Sequence, residues 1–190
     1  MDTVDKMKIQ NAIKDILLAI GEDPEREGLK ETPARVAKMY AEVFEGVNYT
    51  NDDIAHMFDK CFTSPDRNLV VVKDIDCFSY CEHHMALMYN MKIAVAYIPN
   101  GKVIGLSKIA RICDMVCKRL QIQERITQDV AYILKKILEV EDVVVVVHGE
   151  HSCMTARGIR KPGTSTVTQH IAGQFLLDDA LRSEVMSALD

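Results

Sequence analysis

Two clusters of cysteine and histidine could do chemistry, because their side chains are the ligands that zinc prefers. The first occupies residues 81–84 (Cys-Glu-His-His), and the second occupies residues 151–153 (His-Ser-Cys), far along the chain. A structural zinc site usually closes with four protein ligands, whereas a catalytic site keeps three and leaves one position to water. We expect Cys81, His84 and Cys153 to meet as three zinc ligands of the catalytic kind.

Two further histidines, His83 and His151, would then lie beside the metal without binding it. Imidazole changes its charge near neutral pH, so both side chains could move protons there. Zinc lowers the pKa of bound water to about 7, and this set therefore indicates a zinc hydrolase. The alternative is a buried thiol pair with surface imidazoles. The presence of a second Cys/His cluster at residues 151–153 argues against that alternative.

Length, composition and charge limit the other classes of function. The 190 residues, 48% hydrophobic and 27% charged, suit a globular domain with a helical appendage. Six cysteines without an export signal or membrane-length apolar run in the first residues predict reduced thiols and a cytoplasmic location. A net charge of −5 argues against nucleic-acid binding, so an anionic substrate would need a local basic cluster.

Residues 1–64 predict an N-terminal helical region. Apolar residues recur there at helical spacing, and the predicted helices cover residues 4–20, 32–45 and 52–58. Gly21 should stop the first helix, and Thr32 should cap the second, with a proline following. Arg35 and Lys38 project from the second helix and, taken alone, belong to a solvated face.

Residues 65–190 predict the catalytic domain. The pattern is strand, strand, helix, helix, strand, strand, followed by a last helix near residues 178–189. This order favours an α+β fold in which an antiparallel sheet carries helices on one face and leaves the other face open. Exposed sheet edges of that kind invite closure by other subunits.

A basic group could form the phosphate site that the acidic chain otherwise lacks. Ser107 should cap a helix whose first turn presents Lys108 and Arg111, where free N–H groups already favour an anion. Arg157, in a basic flexible segment, could join them. The alternative is a capped helix with surface cations, and the residues alone leave both open.

Other features have both a structural and a functional interpretation. Glu124 begins a helix, where a carboxylate could bind the paired N–H donors of guanine or simply favour the helix dipole. Cys113 and Cys117 could form a metal pair, but they follow an apolar helical stripe and we place them in the core.

Taken together, an ordered set of motifs closely resembles the GTP cyclohydrolase I family. The set covers almost the whole chain, and it is far more specific than any one motif. Its motifs are Gly21-Glu22-Asp23-Pro24, Thr32-Pro33-x-Arg35-Val36-Ala37, Cys81-Glu82-His83-His84, Val95-Ala96-Tyr97-Ile98-Pro99, Val103-Ile104-Gly105-Leu106-Ser107-Lys108-x-x-Arg111, Gln121-x-Gln123-Glu124-Arg125, His151-x-Cys153-Met154 and Ala156-Arg157-Gly158.

The resemblance implies the tunnelling fold, in which small sheets from several subunits close into barrels, and a homo-oligomer, in bacterial members a toroidal decamer. Active sites in that family lie between subunits. It also implies hydrolysis of GTP to formate and 7,8-dihydroneopterin triphosphate, the entry to tetrahydrofolate synthesis.

The resemblance also implies a role for each matching residue. Water activated at zinc would attack guanine C8 while His151 protonates the imidazole portion, and His83 would assist proton transfers at the ribose. Gln123 and Glu124 would hold the guanine. The triphosphate would be held by Ser107, Lys108, Arg111 and Arg157, with Arg35 and Lys38 from another subunit.

One stretch, residues 85–90, departs from the family pattern, which commonly has a proline and then a glycine after the Cys-Glu-His-His run. We expect Asn90 to adopt the left-handed conformation that glycine permits. The turn would then differ without disturbing the zinc ligands.

Two other functions compete with this interpretation. A reductase of the same fold that acts on a deazaguanine nitrile needs a cysteine nucleophile and no zinc triad. A zinc-stabilised binding module without catalysis would need a fourth protein ligand and would leave His83 and His151 without a role.

Overall fold

The protein is described here by a computed structural model that covers residues 4–189. Its contacts divide the chain into two compact units, one up to Asn48 and one from Tyr49. The division falls before the expected boundary at residues 64 and 65, because the third helix buries Ile54 and Phe58 in the core of the larger unit. Over the described residues, no helix combines the length and apolar character that a membrane crossing requires.

The elements follow in chain order. They are α1 (Lys6–Ala19), α2 (Thr32–Val43), a 3-10 turn (Glu45–Asn48), α3 (Asn51–Met57), β1 (Cys61–Thr63), β2 (Val70–Cys81), β3 (Leu87–Tyr97), β4 (Lys102–Ile104), α4 (Leu106–Cys117), β5 (Leu120–Gln121), α5 (Gln123–Leu138), β6 (Val143–His151), α6 (Ser152–Thr155), β7 (Ser165–Ile171), α7 (Gln174–Leu177) and α8 (Asp179–Leu189).

The smaller unit consists of α1, α2 and the 3-10 turn. Asp5 caps α1 by accepting a hydrogen bond from the Lys8 N–H, and Gly21, at φ +87°, follows the end of the helix as predicted. The predicted cap of α2 is wrong by one residue. Glu31 occupies the cap position and Thr32 is already helical.

The larger unit is built on a five-stranded sheet in the order β5-β2-β3-β6-β7. The long neighbours are antiparallel, as predicted, and only the two-residue β5 runs parallel to β2. Strand β4 stands outside this sheet and pairs with β1 instead. The expectation of an α+β fold built on an antiparallel sheet with helices is confirmed, and the arrangement is consistent with the tunnelling fold.

The main core lies between the sheet and helices α3, α4 and α5. Strand β6 supplies the alternate residues Val143, Val145 and Val147 to this core, and all three are fully buried. Cys113 and Cys117 of α4 are buried in the same core, which confirms their structural placement. Removing this apolar surface from water is the main source of stability.

The second sheet face is not fully open, which corrects the expectation of helices on one face only. The intervening residues Val144 and Val146 of β6 pack in a second cluster with Phe175, Val185 and Leu189 of α7 and α8. The helical spacing of the apolar residues in α8 shows that it buries one side, but not which surface it meets. Strand β6 is therefore apolar along both faces.

A buried ion pair secures the short strand β5. Arg119 and Asp129 lie 3.2 Å apart, with only 15% and 14% of their side chains exposed. Arg119 also donates to Asn51 Oδ1 and to the Tyr49 carbonyl, and the Gln121 amide donates to Asp129 at 3.0 Å. Burial lowers the pKa of the Arg119 guanidinium, and the Asp129 carboxylate opposes that effect.

Replacing Asp129 with Ala should destabilise the protein by about 2–4 kcal/mol, because the Arg119 charge would stay buried without its counterion. Asp129→Asn keeps the volume and a hydrogen-bond acceptor and should cost less. Chemical unfolding of both variants at one protein concentration measures the difference. Both variants remove the charge of Asp129, so a loss well below this range in both would show that the charge is unimportant, and equal large losses would show that the hydrogen-bond acceptor adds little.

Candidate active site

The sheet register brings the two Cys/His clusters to one end of the sheet. Strand β2 ends at Cys81, which pairs with Gln121 of β5. Towards the opposite edge of the sheet, Met88 of β3 pairs with His151, the last residue of β6. The chain then turns into α6, which carries Cys153. Three segments distant in sequence, the β2–β3 connection, β5 and the β6–α6 junction, therefore converge where β2 and β6 end.

Cys81, His84 and Cys153 meet as the sequence predicts. One potential ligand atom from each of the three lies within 4.8 Å of the others. The Cys81 Sγ and His84 Nδ1 atoms are 4.0 Å apart. A tight turn holds them, since the Met85 N–H donates to the Cys81 carbonyl at 2.9 Å and the Cys81 N–H donates to the Ala86 carbonyl at 2.9 Å.

The chemistry of this set fits a soft divalent cation. Burial raises the pKa of the Cys153 thiol, and the neighbouring Cys81 raises it further, because two thiolates side by side repel each other. A bound cation reverses that preference and favours both thiolates. Cys81 is buried while His84 is exposed, so one side of the cluster faces solvent.

Further hydrogen bonds fix the loops that carry the ligands. The Ser152 hydroxyl donates to the Leu87 carbonyl at 2.7 Å, which anchors the start of α6 to β3. The Arg125 guanidinium donates hydrogen bonds to both carboxylate oxygens of Glu82, at 2.6 and 3.2 Å. This contact joins the metal-ligand loop to α5, and it lowers the pKa of Glu82.

His151 lies next to the cluster and is held by Gln123. Its Nε2 atom is 2.8 Å from Gln123 Oε1. Burial lowers the pKa of His151, and the nearby Glu124 carboxylate opposes that shift. Sequence reasoning did not find the Gln123 contact, because no spacing rule predicts which side chain a buried amide will meet.

The remaining predicted residues at this end are exposed. His83 lies with its ring centroid 6.3 Å from that of His84. Glu124 stands in the first turn of α5, and Arg157 lies close enough to Cys153 to favour its thiolate. A ligand in front of Cys81, His84 and Cys153 could therefore meet an imidazole, a carboxylate and a guanidinium.

Three of the predicted phosphate residues, Ser107, Lys108 and Arg111, lie towards the N-terminal end of α4. Asp114 contacts Cys77, and the Cys117 carbonyl accepts from Ser79, so α4 runs alongside β2 towards Cys81. Ser107, ten residues before Cys117, is therefore about 15 Å from that end. The cap position belongs to Gly105 and not to Ser107, which corrects that prediction.

The basic side chains of this first turn differ in their surroundings. The Lys108 Nζ atom lies 5.4 Å from the centroid of the Phe58 ring, and Arg111 is exposed. In the smaller unit, Arg35 and Lys38 are exposed on α2, where Arg35 pairs with Glu31 at 3.4 Å.

The departure from the family pattern at residues 85–90 leaves the ligands in place. Asn90 has φ +50°, which confirms the predicted left-handed conformation, and its amide donates to Glu150 at 2.9 Å. The β3–β6 register shifts between Tyr89 and Lys92, so the sheet absorbs the irregularity as a bulge.

Comparison with known proteins gives one consistent result. The family model for GTP cyclohydrolase I matches residues 9–190. A protein of Clostridium acetobutylicum named GTP cyclohydrolase 1 is 56% identical over 190 residues, 97% of each chain. Proteins of the same name are 58% identical in Ruminiclostridium cellulolyticum, over 97% of each chain, and 56% identical in Clostridium botulinum strain Kyoto, over 96% of each. The chain is therefore an enzyme of the GTP cyclohydrolase I family.

Proposed function

We propose that this enzyme hydrolyses GTP at guanine C8 and rearranges the opened ring to give 7,8-dihydroneopterin triphosphate and formate. The observation that carries the proposal is the convergence of Cys81, His84 and Cys153 beside His151 in a chain of this family. We assign the reaction to the first step of tetrahydrofolate biosynthesis and the protein to the cytoplasm.

Zinc is the metal that this site suits best. Two thiolates and one imidazole are soft and borderline ligands, which favour zinc over calcium or magnesium. Three protein ligands leave a coordination position open. When bound, zinc supplies the Lewis acidity that activates water for attack on the base.

The two other histidines, His151 and His83, transfer protons. His151 is half-buried beside the cluster and protonates the imidazole portion of the guanine, which makes C8 more electrophilic. His83 is exposed on the ligand loop and assists the proton transfers at the ribose during ring opening and rearrangement.

Binding of GTP uses the charged residues around the cluster. Glu124 accepts the paired N–H donors on the guanine edge, as a carboxylate with two oxygens can. The resemblance also implies that Gln123 holds guanine, which stays a prediction, and the engagement of its whole amide within the chain argues against a direct contact. The triphosphate is held by Ser107, Lys108, Arg111 and Arg157, with Arg35 and Lys38 supplied by another subunit.

The active site forms between copies of the chain. The Cys/His cluster lies beyond the C-terminal end of α4, and the basic first turn lies about 15 Å back along that helix, so we assign the two groups around one GTP to two different copies of the chain. In a ring-shaped homo-oligomer, a decamer by resemblance, the α4 turn of one copy can face the metal cluster of its neighbour. The two edge strands, β5 and β7, have no neighbour on one side within the described chain and could pair with another copy.

Incubation of the zinc-loaded protein with GTP should yield formate and a fluorescent oxidised pterin in equal amounts. Chelation should abolish both products, because water is no longer activated, and added zinc should restore them. His151→Ala should lose about 100-fold or more in turnover while its zinc content stays at the wild-type level.

Formate without the pterin would contradict the roles given to the ribose-side groups. If a folded, zinc-loaded assembly yields neither product, the protein is a nucleotide-binding module and the proposed activity is wrong.

A subunit-mixing experiment tests the shared site. Cys81→Ser removes a metal ligand, and Lys108→Ala removes a phosphate contact, so each variant alone should be nearly inactive. Co-expressed at equal levels, they should recover about a quarter of wild-type activity, since one in four neighbouring pairs unites the two intact halves. Cys81→Ser mixed with His84→Ala should recover nothing, because both lesions lie in the same half. Absence of recovery in the first mixture would place all these groups within one chain.

A further inference from the structure

The Gln123 side chain occupies an unusual position for a residue expected to bind substrate. It is 1% exposed, and its Nε2 atom lies 2.9 Å from the Val147 carbonyl oxygen and 2.9 Å from the Thr166 carbonyl oxygen. Both of its N–H groups are therefore donated to the backbone of β6 and β7, and no donor remains for a ligand.

These two contacts determine which way the amide faces. A carbonyl oxygen only accepts hydrogen bonds, so the nitrogen of the amide, not its oxygen, must point towards Val147 and Thr166. The oxygen of Gln123 then points to His151, where it lies 2.8 Å from Nε2.

The orientation of the amide in turn determines where His151 carries its hydrogen. Gln123 Oε1 cannot donate, so the Nε2 atom of His151 must be the donor. In the neutral imidazole the other ring nitrogen, Nδ1, is then an acceptor with a free lone pair.

A glycine leaves room for this arrangement. A Cβ atom built on Gly149 would lie 3.1 Å from Gln123 Oε1 and 3.0 Å from the Met91 side chain. The Cβ atom of any other residue at this position of β6 would make a steric clash with the amide oxygen of Gln123, so the close approach of the two segments depends on glycine.

We propose that Gln123 is a positioning residue that fixes His151 as the Nε2–H tautomer, so that Nδ1 is the nitrogen that exchanges a proton with the substrate. This inference rests on the proposed role of His151. Because the Nε2–H group is held by Gln123 Oε1, the ring keeps Nδ1 as the nitrogen open to a bound group, and no ring flip is needed.

The tautomer can be read directly in the intact protein. Zinc-loaded wild-type protein labelled with ¹⁵N-histidine is examined by solid-state NMR at about pH 8.5, where an imidazole of ordinary pKa is neutral. Signals missing from a His151→Gln sample identify His151 among the six histidines. We expect a protonated Nε2 and an unprotonated Nδ1.

A variant and a matched control connect the tautomer to turnover. Gln123→Met keeps the length of the side chain and removes the amide, so the tautomer should become mixed and kcat should fall about 10- to 100-fold with little change in KM. Gln121→Met removes an equally buried glutamine, also 1% exposed, whose amide contacts Asp129 and not His151. It should keep the tautomer and change kcat less than about threefold.

Three results would overturn the inference. The first is an Nδ1–H tautomer in the wild-type protein. The second is an unchanged kcat in Gln123→Met although the tautomer is mixed. The third is a raised KM for GTP with kcat unchanged, which would make Gln123 a guanine contact. Failure of the proposed function is distinguishable from these, because it would appear as absent turnover in a wild-type protein whose tautomer is as expected.

Discussion

The register of the central sheet is the constraint on which the site depends. Cys81 opposite Gln121 and Met88 opposite His151 place the ends of β2 and β6 at the same end of the sheet, on either side of β3. A slip of one residue would turn every side chain of a strand to the other face, and would move the ligands apart. Five consecutive valines of β6 suit either apolar face, so they specify the register less than unlike residues do. Gly149 is such a residue, because a Cβ atom there would lie 3.1 Å from Gln123 Oε1.

Side-chain contacts between different elements position the polar groups near the site. Gln123 links α5 to β6 and β7, Arg125 links α5 to the metal-ligand loop, and Arg119 links β5 to α5. The start of α5 thus connects the sheet, His151 and the loop that carries residues 81–84. Exposed residues such as Glu124 and Arg157 remain available to a ligand, while the residues behind them are fully engaged.

The sequence predicted the main strands and helices, the buried cysteines of α4 and the meeting of Cys81, His84 and Cys153. Periodicity and ligand chemistry are local properties, so they can be read from neighbouring residues. The packing of α8, the pairing of β4 with β1 and the contact of Gln123 with His151 could not be predicted, because each depends on which distant surface a segment meets. The misplaced caps at Thr32 and Ser107 reflect the weak local signal that marks a helix start.

The central claim is that three side chains hold a zinc ion with one position left open, and X-ray absorption at the zinc edge tests it most directly. For protein loaded with one zinc per chain, the account predicts two sulfur ligands at about 2.3 Å and two nitrogen or oxygen ligands at about 2.0–2.1 Å, one of which GTP or a small anion perturbs. Cys153→Ser should lose one sulfur. A closed site of four protein ligands that substrate leaves unchanged, or zinc without sulfur ligands, would contradict the account.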